Sequence, residues 1–157
     1  MAVSSLMVPL GTAAPDFVLT DVTGRQVRRD DFAGAPALLV AFLCNHCPYV
    51  QAVEDRIIAL RKEFAPRGVQ LVGICSNDPT DYEEDSFDNM KKAAAEFSFP
   101  FPYVIDATQA VAKAYGAVCT PDFFGFNRNF ELQYRGRFDE SRKDTAPEGV
   151  RRDLFEA

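Results

Sequence analysis

Cys44-Asn45-His46-Cys47-Pro48 places two thiols three positions apart, with the single histidine of the chain between them. Ahead of this motif, Ala37 to Leu43 is an unbroken apolar run, as expected for a strand buried on both faces of a parallel sheet. Behind it, Val50, Val53, Ile57, Leu60 and Phe64 recur at helical spacing, which predicts an amphipathic helix from about Pro48 to Phe64. The motif therefore sits where a strand hands over to a helix. The first backbone N–H groups of a helix lack partners and carry about half a positive charge, so a thiolate placed there is stabilised and nucleophilic near neutral pH. On this geometry Cys44 is expected to be an exposed attacking thiol, and Cys47 a more buried resolving one. His46, as imidazolium, would favour the thiolate over the disulfide; the alternative is a solvated loop histidine. Pro48 suits a first helical turn, which needs no N–H from it.

One C-x-x-C could instead be half of a zinc site. Structural zinc takes four ligands, and the chain holds no second such pair and no second histidine; Cys75 and Cys119 would have to complete the tetrahedron. Two unreactive core cysteines are the third possibility, which the strand-to-helix position disfavours. The redox reading is preferred.

The elements needed to hold the motif can be read on both sides of it. Asp16–Thr20, a turn containing Gly24, and a segment ending at Val27 predict an N-terminal β-hairpin. Pro66 and Gly68 end the first helix, and Val69–Cys75 is a second buried strand, which completes a right-handed β-α-β unit. A second helix is expected over about Ser86–Phe97, a short edge strand at Pro102–Ile105, and a small helix around Gln109–Tyr115. Phe123–Phe126 and Phe130–Arg135 flank the turn Asn127-Arg128-Asn129 as a hairpin. A helical stretch follows from about Pro147. No repeat or linker divides the chain, so residues 1–157 are expected to form one α/β domain.

Length and charge exclude other classes. The 157 residues are 47% hydrophobic, enough for a core without disulfide staples. The net charge of −6 offers no cationic footprint for nucleic acid. The longest apolar run, Ala35 to Cys44, contains Pro36 and is too short to span a membrane. The segment Met1–Pro9 lacks a basic region followed by an apolar run, so the expected address is the cytoplasm, where four cysteines are reactive, metal-binding or core thiols rather than a disulfide framework.

The order Ala14-Pro15-Asp16-Phe17, Asp21-Val22-Thr23-Gly24, buried strand, C-x-x-C, helix and Cys119-Thr120-Pro121-Asp122-Phe123-Phe124 resembles the thioredoxin-fold redoxins. It is most similar to the branch between the AhpC/TSA proteins and the TlpA/ResA-type thiol-disulfide oxidoreductases. That resemblance implies a three-layer sandwich, with a mixed central sheet and helices on both faces. It also implies disulfide exchange with a protein partner through Cys44 and Cys47, without metal, nucleotide or flavin, with His46 and Asn45 tuning the pair. Pro121 matches the cis-proline that packs against the C-x-x-C, and Thr120 the backbone that pairs with substrate polypeptide. Apart from the resemblance, Phe123 and Phe124 read most simply as core and strand residues, the alternative being that they border a groove for a peptide partner. Thioredoxins also keep a buried acid beneath the motif, for which Asp78 and Asp122 are the candidates.

Two departures stand out. Leu43 replaces the Trp that precedes the first cysteine of thioredoxins. Peroxiredoxins carry Thr at Cys44, their peroxide-reacting cysteine at Cys47 and an Arg near Pro121. A thiol peroxidase with Cys47 peroxidatic and Cys44 resolving is therefore the first alternative, and a binding or chaperone-like module with incidental thiols the second. In a sheet of this order all four cysteines are expected along one rim. There Cys75 reads as a core filler, and Cys119 equally as filler or third thiol.

Overall fold

The computed structural model describes residues 10–44, 54–76, 86–96, 99, 101–117 and 121–136. Seven strands form one mixed sheet: β1 (Val18–Asp21), β2 (Gln26–Arg28), β3 (Ala37–Phe42), β4 (Gln70–Cys75), β5 (Tyr103–Ile105), β6 (Asp122–Asn127) and β7 (Leu132–Gly136). Their order is β2-β1-β5-β4-β3-β6-β7. β3 and β4 are parallel, with Leu38 opposite Gln70 and Phe42 opposite Ile74. β6 runs antiparallel on the other side of β3, pairing Phe42 with Asp122, and β7 returns along β6 as the expected hairpin.

The described helices are α1 (Glu54–Phe64), α2 (Phe87–Glu96) and α3 (Ala110–Tyr115). Strand alternation assigns them to faces. Leu39, Ala41, Leu43, Leu71, Cys75, Tyr103 and Phe123 point to one side, where Ile57 and Leu60 of α1 and Met90 of α2 cover them. Leu38, Val40, Phe42, Val72, Ile74, Val104, Phe124 and Phe126 point to the other, against Tyr115 of α3 and Phe32 of a 3-10 turn at Arg29–Phe32. This is the three-layer arrangement expected. Each large side chain fully buried in it contributes roughly 1.5–3 kcal/mol.

Tyr103–Ile105 is not an edge strand, as its length and sequence suggested, but the third of seven. β1 adds to its open side, pairing Thr20 with Ile105 and Asp21 with Val104. The N-terminal hairpin therefore extends the sheet instead of standing apart from it. Its turn is built by Asp21, whose Oδ1 accepts hydrogen bonds from the N–H groups of Thr23 and Arg25 (2.9 Å each) and from Thr23 Oγ1 (2.6 Å). Burial pushes the Asp21 carboxyl up, but these bonds and the Arg25 charge together outweigh it and hold the carboxyl below its ordinary value.

Gly68, at φ +82°, stops the α1 segment as expected. Gly73 has a different role: a Cβ there would lie 3.0 Å from Phe101 Cε2 and 3.1 Å from Leu43 Cδ1, so its missing side chain lets Leu43 close over β4. The helical stretch expected from Pro147, and the first turns expected between Pro48 and Val53, lie outside the described residues. No described helix is long and apolar enough to cross a membrane.

Candidate active site

Three strand ends make the edge at which the motif begins. β3 and β4 are parallel, so both finish there; Leu43 continues the ladder by donating its N–H to Ile74 O at 2.8 Å, and Cys44 follows. Cys75 closes β4 opposite Ile105, and its carbonyl accepts the Asp106 N–H at 2.8 Å. β6 runs the other way and starts at this edge: one step beyond the last β3–β6 pair, Phe42 and Asp122, stand Leu43 and Pro121. Cys44, Cys75 and Pro121 thus share one rim. Asn45, His46, Cys47, Cys119, Thr120 and Asp78 lie outside the described residues.

Two expectations about side chains are corrected. Cys44 is not an exposed thiol: it is 1% exposed and belongs to the core cluster with Leu43, Ile57, Met90 and Phe123. The chain turns inward at this position, beneath α1, instead of lifting the first cysteine clear of the sheet. Phe123 does not border a groove, being 0% exposed in the same cluster, and Phe124 is buried on the opposite face. Alternation along β6 accounts for both, since a strand covered on each side has no outward face. Cys75 is wholly buried, as a core filler should be. Pro121 is half-buried and so retains an accessible surface.

Asp122 is fully buried. Its Oδ2 lies 3.2 Å from Nη2 of Arg135, a side chain itself 5% exposed. The same Nη2 donates to Gly116 O at 2.6 Å, and the guanidinium lies 4.8 Å from the centroid of the Phe124 ring. Nε and Nη1 of Arg135 are buried and have no hydrogen-bond partner among the described residues. Sequence reading missed Arg135, because an arginine two residues from Gln133 on a hairpin strand reads as a solvent-facing charge. Its register was the available signal: Arg135 pairs with Phe124, which makes Asp122 its diagonal neighbour.

Asp106 was also missed. It is 1% exposed; its oxygens accept Ser76 Oγ at 2.7 Å and the N–H groups of Val111 (3.3 Å) and Ala112 (2.9 Å). It thereby ties the ends of β4 and β5 to the first turn of α3. An Asp four residues before a helix is the signal that could have found it. Among the described residues no group of three His, Cys, Asp or Glu side chains could hold a metal ion. An apolar cavity of about 310 Å³ opens between α1 and β6–β7, but it is lined by Pro36, Ala37 and Phe64 at the opposite end of β3 from the rim.

The chain as a whole is similar to known proteins. The model of the AhpC/TSA family matches residues 10–138. The chain is 30% identical over 126 residues to the thiol-disulfide oxidoreductase ResA of Geobacillus thermodenitrificans, covering 80% of this chain and 68% of that one. Among solved structures, an uncharacterized conserved protein from Geobacillus kaustophilus superposes with a TM-score of 0.90 at 48% identity, over 94% of this chain and 78% of that one. The thioredoxin domain of a thiol-disulfide oxidoreductase from Bacteroides vulgatus shares the fold, with a TM-score of 0.71 at 19% identity over 96% and 95% of the two chains.

Proposed function

The chain belongs to the AhpC/TSA family and is a thiol-disulfide oxidoreductase, and on that premise we propose that Cys44 and Cys47 are its redox pair. The observation that carries the assignment is the position of Cys44, at the shared end of parallel β3 and β4 and beside the Pro121 start of β6. The Cys44 thiolate attacks one sulfur of a partner disulfide and expels the other as a thiolate. Cys47 then attacks the Cys44 sulfur of the mixed disulfide and expels the second partner thiolate. Two electrons pass to the partner, and Cys44–Cys47 is left oxidised; the reverse sequence makes the protein an oxidant. Burial of Cys44 slows its attack on any disulfide, and docking of a polypeptide partner along the Pro121 edge, with Thr120 pairing its backbone, assists it. His46 and Asn45 set the poise.

The exchange requires no cofactor, since a protein dithiol supplies or takes the electrons. We propose a cytoplasmic address; recovery of the tagged full-length protein from a secreted or envelope fraction would refute it. The peroxidase alternative needs a guanidinium beside the thiolate. Pro121 stands where that arginine is expected, and Arg135, whose partner Asp122 adjoins Pro121, is tied to a carboxylate.

The test is a glutathione redox titration read by mass shift after alkylation. An intramolecular Cys44–Cys47 disulfide is expected. A potential near about −270 mV marks a reductase and one near about −120 mV an oxidant. No disulfide at any poise overturns the pair. Trapping of a mixed disulfide by Cys44→Ser, and not by Cys47→Ser, reverses the order of attack.

A further inference from the structure

We propose that Arg135 is the positioning residue of the substrate edge, holding Pro121 in place from the strand behind it. Gly116 closes α3 and Asp122 opens β6, so only residues 117–121 separate them. A single atom, Arg135 Nη2, grips both ends of that segment, at 2.6 Å from Gly116 O and 3.2 Å from Asp122 Oδ2. The start of β6 is thereby anchored on both faces of the sheet. Phe123 is packed among the neighbours of Cys44 on one side, and Asp122 is held by Arg135 on the other. Pro121 immediately precedes both anchors.

The arrangement is poorly explained by stability alone. A buried ion pair is often matched by apolar residues of similar size, and this guanidinium leaves two donors buried without acceptors among the described residues. Its geometry instead fixes one end of a short chain relative to the other. The described contacts of the Arg135 guanidinium are Asp122, the Gly116 carbonyl and the Phe124 ring, and it acts through the first two. This inference rests on the reading that a partner polypeptide docks at Pro121.

The experiment compares rates of exchange of the reduced protein with insulin, a polypeptide disulfide, and with hydroxyethyl disulfide, which has no backbone to dock. The pH profile of thiol alkylation is measured alongside. Arg135→Met and the paired Asp122→Leu/Arg135→Met variant are expected to lose roughly tenfold or more in insulin exchange, a scale set by small misplacements of a docking edge. Their hydroxyethyl disulfide rates and alkylation profiles should stay within about twofold of the parent, and Arg135→Lys, which keeps one grip, should recover part of the loss. The paired variant keeps the test open if Arg135→Met does not fold. A folded paired variant that exchanges with insulin at the parental rate overturns the proposal, as does an equal fall with both disulfides. Pro121→Ala separates the two levels. If it leaves insulin exchange intact, the docking reading fails; if it lowers insulin exchange and the Arg135 variants do not, the positioning role alone fails.

Discussion

Removing one partner of the Asp122–Arg135 pair leaves an uncompensated charge in the interior, and the structure sets the size of the effect. Asp122 is fully buried and the Arg135 side chain is 5% exposed, so neither charge can recover solvent without local unfolding. Breaking such a pair costs about 3–5 kcal/mol, whereas replacing both members with apolar groups is often close to neutral. The Gly116 carbonyl loses its Arg135 donor in either case, which adds about 1 kcal/mol. Arg135→Met should therefore destabilise the domain by about 4–6 kcal/mol, and Asp122→Leu/Arg135→Met by only about 1 kcal/mol. At roughly 3 °C per kcal/mol, the single variant should melt about 12–18 °C below the parent, and the double variant about 3 °C below. Urea denaturation followed by circular dichroism, with equal m-values across the set, provides the free energies. A single variant within about 1 kcal/mol of the parent, or a double variant worse than either single one, would refute the claim that these charges are buried and mutually compensating.

Other predictions concern the same chain. Because its hydrogen bonds hold the Asp21 carboxyl below the ordinary value, the stability it contributes is present above about pH 4 and is lost as pH falls through the lowered folded value. Asp21→Asn should cost about 1–2 kcal/mol at pH 7, and that cost should shrink as pH falls below about 4; a deficit independent of pH would refute this sign. Cys44 in the reduced protein should react with iodoacetamide roughly a hundredfold more slowly than a small thiol of equal acidity, and the difference should vanish in urea. Gly73→Ala should cost about 1–3 kcal/mol by pressing on Phe101 and Leu43, and should speed Cys44 alkylation, because Leu43 immediately precedes Cys44 in the chain.

The parts of the fold visible in the sequence are those fixed by local pattern. Ala37–Leu43 and Val69–Cys75 are apolar without alternation, which only a doubly covered strand requires, and both are central and parallel. The β6–β7 hairpin follows from its turn: Asn127 Oδ1 accepts the N–H groups of Asn129 (2.9 Å) and Glu131 (3.0 Å). What escaped depends on partners distant in sequence. Tyr103–Ile105 becomes interior only because a strand more than eighty residues earlier pairs with it, and nothing in those three residues records that. The same applies at the rim. The C-x-x-C spacing announces its chemistry locally, whereas the burial of Cys44, the inward turn of Phe123 and the compensation of Asp122 by Arg135 all follow from how β3, β6 and β7 stack side by side.

The sheet order also constrains the time course of assembly. The hairpin of β1 and β2 is complete once Arg28 has been made, yet its one neighbour in the sheet, β5, ends at Ile105. A lone two-stranded ribbon is marginal in water. On the ribosome, this hairpin must therefore wait through β3, α1, β4 and α2 for the strand that anchors it. The N-terminal ribbon, though synthesised early, gains its neighbour in the sheet only once β5 has been made, so its pairing adds a contact of long sequence separation to the fold.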